Sequence, residues 1–324
     1  MWAKRRILDS LIFLCAVLLG LMVLRLAQPK IQDAFAEEAG GDYIKWVSFD
    51  IPMTALKAAM QADIDSHLNQ DEYTVDWVEL LSLLACRYYG HWDRYKKADL
   101  TAYVERLKAG EPMEELAEGS SYFDYYREAY SAVLGGLLGA YETEEKDEET
   151  GEAVTVQTYG LKAYSPIGGG YGYSHYKDFG AHRGYGYSRP HLGNDLLGSV
   201  GTPIVAVEGG LVESCGWNQY GGWRVGIRSL DGKRYYYYAH LRKDKPFAQG
   251  LEVGDQVEAG DLIGYLGMTG YSVKENVNGM TKPHLHFGLQ IIFDESQKDG
   301  TNQIWVDVYH LVELLEGHRS YERE

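Results

Sequence analysis

The chain has 324 residues, 45% hydrophobic and 24% charged, enough for about two domains with a sizeable core. Its formal net charge is −16, from 31 Lys and Arg against 47 Asp and Glu, which argues against nucleic acid as a partner. Its three cysteines form no C-x-x-C pair, which excludes a thiolate zinc knuckle; free thiols are expected at Cys86 and Cys215.

The basic start MWAKRR precedes an uncharged run, LIFLCAVLLGLMVL, at 11–24. As a helix, Ile7 to Ala27 is long enough to span roughly 30 Å of hydrocarbon. Residues 1–30 are therefore expected to form a single-pass membrane anchor, with the amino terminus inside and the rest extracytoplasmic. The competing expectation is a signal segment cleaved near Ala34-Phe35-Ala36, which would make the protein secreted.

Residues 40–141 form an expected helical module. WVELLSLLACRYY (77–89), LTAYVERLKAG (100–110) and YFDYYREAYSAVLGGLLGAY (122–141) carry apolar residues at three-and-four spacing. Asp99 is placed to cap the second helix and Gly110 to end it. The module shows no catalytic constellation; His67 and His91 read as surface or packing residues, and a protein partner is one use for it. ETEEKDEETGEA opens an acidic linker, or hairpin tip, at 142–157.

Residues 158–324 form a mostly antiparallel β domain. Short β-rich runs alternate with turn signals, Asp231-Gly232 marks a hairpin, and WVDVYHLVELLEG (305–317) reads as a closing helix. The expected fold class is thus multi-domain: a transmembrane helix, a helical module and a β domain.

The chemistry concentrates in this last part. In TKPHLHFGLQ, His284 and His286 are two residues apart, so in a strand both imidazoles leave one face while Leu285 and Phe287 enter the core. Two neighbouring imidazoles on a buried face are costly unless something binds them, and a metal ion is the commonest such partner. His191 and Asp195 in HLGND, with one member of the pair, supply two nitrogens and an oxygen. Zinc fits that set and keeps an open position in catalytic sites. His240, in YYYYAHL, and the remaining histidine are free to move protons or meet an oxyanion. His175, His182, His310 and His318 fall outside every motif and read as surface or rim residues.

HLGND, YAHL and HLHFG, in that order, resemble the lysostaphin/LytM-type zinc endopeptidases of peptidase family M23. The resemblance covers about 160–315 and includes GTPIVAVEGGLV and VGDQVEAGDLIGYLGMTG. It implies a LytM-like β peptidase domain, zinc held by His191, Asp195 and His286, and catalytic roles for His240 and His284. It also implies an oxyanion-stabilising tyrosine shortly before the first motif, on Tyr185, with Tyr187 as its rival. The implied substrate is a stem or cross-bridge peptide of bacterial peptidoglycan. Asn194 departs from the aliphatic residue commoner there, but all five key positions are filled.

Two other functions compete with the enzyme. Some LytM-like domains are non-catalytic scaffolds or regulators of cell-envelope partners, including in sporulation, but a pure scaffold has no physical reason to keep the full ligand set. VGDQVEAGDLIGYLG also resembles lipoyl and biotinyl hairpins, yet Met268-Thr269-Gly270 offers no lysine to modify.

Overall fold

Apolar residues at helical spacing make the first part of the chain helical. The computed structural model describes residues 43–69, 73–146 and 151–321. The expected anchor at 1–30, the Ala34-Phe35-Ala36 site and Cys15 lie outside the described residues. Among the described residues no helix is long and apolar enough to cross a membrane.

Five helices follow one another: α1 (Met53–Leu68), α2 (Trp77–Tyr88), α3 (Lys97–Lys108), α4 (Met113–Leu116) and α5 (Phe123–Leu134). Asp76 caps α2 by accepting from the Glu79 amide. Asp99 is not the cap of α3: that helix starts two residues earlier, and Asp99 in its first turn accepts from Tyr88 Oη at 2.7 Å and pairs with Arg87. Gly110, at φ +86°, follows the end of α3 in the left-handed conformation expected of it.

The helix expected to run to 141 stops at Leu134. Gly136 sits at φ +82°, and a Cβ on Gly135 would meet Ser131 O at 2.5 Å, so this glycine pair turns the chain out of the helix. It re-enters as strand β1 (Leu138–Lys146), antiparallel to β2 (Ala153–Leu161). Of the two expectations for the acidic segment, linker or hairpin tip, the pairing of β1 with β2 gives the hairpin; residues 147–150 lie outside the described residues. Tyr159 Oη donates to Asp63 Oδ1 at 2.8 Å and ties this hairpin to α1.

The remainder is an antiparallel sheet with strands in the order β11 (Gln256–Val257), β8 (Gly210–Asn218), β9 (Gly222–Ser229), β10 (Arg234–Ala239), β13 (His284–Ile291), β6 (Asn194–Leu197) and β3 (Ser174–His175); β14 (Ile304–Val306) also pairs with β13. Two small pairs accompany it: β7 (Pro203–Val205) with β12 (Leu262–Tyr265), and β4 (His182–Tyr185) with β5 (Tyr187–Pro190). The Asp231-Gly232 turn joins β9 to β10, with Gly232 at φ +76°. The closing helix is shorter than expected: Ile304–Val306 is strand, and α6 covers Tyr309–Leu315.

Tyr236, Tyr238, Leu285, Phe287 and Leu289 are buried on one face of the central strands and form the core. The helices and the sheet pack into one compact unit from Val47 onward, where linker-joined domains were expected. Arg234 explains part of this. Its guanidinium, almost fully buried on β10, donates to Glu208 and Asp231 and to the Ala132 carbonyl at the end of α5, at 3.1 Å. A cation there meets the negative end of the helix dipole.

Cys86 and Cys215 are free, as expected. His175 departs from its expected surface position. Its ring stacks on Tyr309 of α6, centroids 4.3 Å apart, and both ring nitrogens are buried without a hydrogen-bond partner. His310 and His318 are half-buried, bonded to Glu313 and to the Ala163 carbonyl, whereas His182 and His91 are exposed. His67 packs flat on Tyr159, with centroids 3.9 Å apart.

Candidate metal centre

The site grows from the alternation of β13. Leu285 and Phe287 are fully buried in the core, so His284 and His286 emerge on the opposite face. Register supplies the next ligand. Asp195 of β6 lies directly opposite His286, and Ala239 of β10 lies opposite it on the other side. Cross-strand partners share a face, so the Asp195 carboxylate stands beside the His286 imidazole. His191 reaches the same point from the turn before β6, its amide held by the Ala181 carbonyl at 2.9 Å.

Ligand atoms of His191, Asp195 and His286 all lie within 4.8 Å of one another. His191 Nε2 is 2.7 Å from His286 Nδ1 and 3.1 Å from Asp195 Oδ1, and His286 Nδ1 is 3.5 Å from that oxygen. Asp195 Oδ1 is buried and accepts no hydrogen bond, although the imidazoles crowd it. A buried carboxylate oxygen without a donor, facing two imidazole nitrogens, fits a divalent cation with nitrogen and oxygen preferences.

A second layer orients these ligands. Asp178 accepts from the Asp195 amide at 3.2 Å and, through its carbonyl, from His191 Nδ1 at 3.1 Å, which leaves Nε2 as the lone-pair nitrogen. Arg183 Nη2 donates to Asp195 Oδ2 at 3.0 Å and pairs with Asp178. Burial works against a charge on His191, but the adjoining Asp178 and Asp195 carboxylates outweigh it, raising its pKa to about 9. Burial works against ionised Asp195 too, and the surrounding imidazoles overcome it, holding the carboxyl well below its ordinary range.

His240 reaches the site by an irregularity. In regular alternation it would share the core face of Tyr236 and Tyr238. Instead its φ is +61°, uncommon for a non-glycine residue, and the break turns the ring toward β13. It lies 4.8 Å from the His284 ring and 6.0 Å from the His286 ring, centroid to centroid. His240 Nδ1 donates to the Thr269 carbonyl at 2.7 Å and His284 Nδ1 to the Lys282 carbonyl at 2.9 Å. Each ring is thereby left with Nε2 as a proton acceptor. Burial, then the neighbouring His284 and His286, push the His240 pKa well below its ordinary value, so the ring is neutral at pH 7.

The cluster opens into a groove of about 680 Å³ walled by Tyr220, Tyr237, Tyr271, Arg189 and Trp305. Tyr185 stands behind this wall, stacked on Tyr271 with centroids 5.0 Å apart and planes 9° from parallel; Tyr187 is exposed. All five sequence-picked His and Asp residues thus meet at one place. Asp178, Arg183, Arg189, Tyr220 and Tyr271 were not singled out from the sequence, because no local spacing marks them; the folding of the 165–190 loop and the β4–β5 hairpin brings in the first three, and the β8–β9 turn and the loop after β12 bring in the two tyrosines.

Residues 189–301 match the profile described as peptidase family M23. The L-Ala–D-Glu endopeptidase of Bacillus subtilis (strain 168) is 41% identical over 117 residues, 36% of this chain and 34% of that protein. Lysostaphin of Staphylococcus simulans is 38% identical over 114 residues, 32% of this chain and 20% of that protein. The chain thus spans about a third or less of the length of these relatives. A solved Ruminococcus gnavus structure, assigned as a glycyl-glycine endopeptidase LytM, aligns with a TM-score of 0.55 at 23% identity. That alignment covers 87% of this chain and 94% of the other, and speaks for the fold alone. Residues 189–301, which hold His191, Asp195, His240, His284 and His286, form a domain of peptidase family M23.

Proposed function

We propose that the chain is a zinc endopeptidase that hydrolyses peptide bonds in the stem peptides or cross-bridges of bacterial peptidoglycan. The carrying observation is the grouping of His191, Asp195 and His286 beside two imidazoles whose Nε2 atoms remain available, at the head of an open groove. Zinc held by these three residues would act as a Lewis acid toward water and the substrate carbonyl.

The protein's own groups do the rest. Nε2 of His240 or His284 accepts the proton of the attacking water as the carbon–oxygen bond forms. Now an imidazolium, the ring faces the developing oxyanion and delivers the proton to the leaving amine as the carbon–nitrogen bond breaks. Asp178 and Arg183 hold His191 and Asp195 in place. Tyr185, to which the resemblance gives an oxyanion-stabilising role, stacks on Tyr271 of the groove wall.

Incubating the purified protein with peptidoglycan and weighing the products tests this. New amino termini that vanish with a zinc chelator and return with added zinc are expected. A metal-loaded protein inert on walls of several chemistries would sink the proposal.

We also propose that residues 7–27 anchor the protein, with the catalytic part extracytoplasmic. The basic start and the uncharged run support this. Alkaline extraction of membranes from the producing cell should leave the chain in the pellet; release into the supernatant would overturn it.

A further inference from the structure

The β4–β5 hairpin places two guanidiniums directly opposite one another, since Arg183 pairs with Arg189 in its register. Cross-strand partners share a face, and like charges there are destabilising. Arg183 is neutralised by Asp178 and Asp195. Among the described residues Arg189 has no carboxylate partner and no side-chain hydrogen bond, and its Nη1 is buried without an acceptor.

What holds Arg189 is aromatic. Its guanidinium carbon lies 4.5 Å from the Tyr220 ring centre and 5.3 Å from that of Tyr271, and both rings wall the groove. Cation–π contact stabilises the charge but satisfies none of the in-plane N–H donors. Arg224, on the same groove, also lacks a carboxylate: Nη1 donates to Ser214 Oγ at 2.7 Å, and Nε is buried without an acceptor. Of the acids on this groove, Asp195 belongs to the ligand cluster, Glu213 is paired with Arg228 and Lys298, and Asp299 is exposed and forms no ion pair with Arg189 or Arg224. In a chain of net charge −16, this groove therefore keeps two guanidiniums short of acceptors.

From this we infer that Arg189, backed by Arg224, is a carboxylate-binding subsite that selects peptides carrying a free carboxylate close to the scissile bond, over neutral peptides. The inference rests on the peptidase reading of the same groove. A planar guanidinium held between ring faces and left with unused N–H donors suits two parallel N–H···O bonds to a carboxylate. The same chemistry arises from two sources: a carboxylate carried within the peptide, or one at its C-terminus.

The test uses the full zinc-loaded chain and a short alanyl-glutamyl peptide in three forms: glutamyl carboxylate free with the C-terminus amidated, the reverse, and both amidated. Hydrolysis gives kcat/KM, and anisotropy of labelled peptides gives binding. One mono-acid form should exceed the diamide at least about tenfold in both readouts, and which one it is identifies the source. Arg189→Ala should bring that ratio to within about twofold. Arg189→Met, which keeps the contact with the rings, should do the same if the alanine variant folds poorly. Arg189→Lys should be intermediate, because charge is kept and the planar fork lost. No preference in the wild type, or an undiminished preference in both Arg189→Ala and Arg189→Met, would overturn the inference. Selective binding without hydrolysis would support the subsite and leave the peptidase reading to the cell-wall digestion; hydrolysis without selectivity would overturn the subsite and support the peptidase reading.

Discussion

Asp195 and His286 face each other across neighbouring antiparallel strands, with Asp195 Oδ1 3.5 Å from His286 Nδ1. Their adjacency depends on register alone: a slip of one residue would send one of them to the core face. His284, two residues along β13, has its Nε2 3.7 Å from the same oxygen but its Nδ1 tied to the backbone.

This geometry separates the two histidines experimentally. His286→Ala should lose bound zinc, because a ligand is removed. His284→Ala should keep most of the zinc and lose turnover by about 100-fold or more, as expected for a group acting in the transition state. Metal analysis of both purified variants decides; a zinc-free His284→Ala beside a loaded His286→Ala would reverse the roles.

Gly193 of the HLGND motif packs under the site. A Cβ there would sit 2.6 Å from the Phe287 carbonyl oxygen and 2.8 Å from His286 Nε2. The Phe287 strand backbone yields little, so residue 193 itself must shift and the imidazole with it. Gly193→Ala should cost about 1–3 kcal/mol and weaken zinc binding, read by denaturation and by competition with a chromogenic chelator. Unchanged zinc affinity would refute the clash.

His175 makes stability depend on acid. Burial pulls its pKa down to about 4, from an ordinary 6.5. Between these values the unfolded chain holds a proton that the folded chain does not, so stability is full above about pH 6.5 and falls as the pH drops toward 4. The loss is about 3 kcal/mol at most. His175→Phe should keep the stack on Tyr309, remove two unpartnered nitrogens and flatten that acid limb. Urea unfolding at pH 4.5 and 7 measures it, and an equally steep acid loss in the variant would exclude His175 as the cause.

Arg234 joins helices to sheet. Arg234→Met would leave Glu208 without its charge partner and the Ala132 carbonyl without its donor. The expected loss is about 3–5 kcal/mol in chemical denaturation, with zinc content retained at low denaturant. A loss under about 1 kcal/mol would show that the contact contributes little.

The sequence by itself determined what depends on near neighbours. The two-residue period put His284 and His286 on one face, turn chemistry at Asp231-Gly232 marked the β9–β10 hairpin, and three-and-four spacing placed the cores of α2, α3 and α5. The ordered motifs were enough to bring His191, Asp195 and His240 into the same picture through a family resemblance. Tertiary structure decided what local period cannot carry. The Gly135-Gly136 break turned an expected helix end into β1, whose pairing with β2 chose hairpin over linker for the acidic segment. His240 enters the site only because a left-handed backbone overrides the alternation that would bury it with Tyr238. Asp178, Arg183 and Arg189 join the site through pairings between segments whose partners no local pattern announces, since a side chain's charge balance is set by whatever the fold brings beside it.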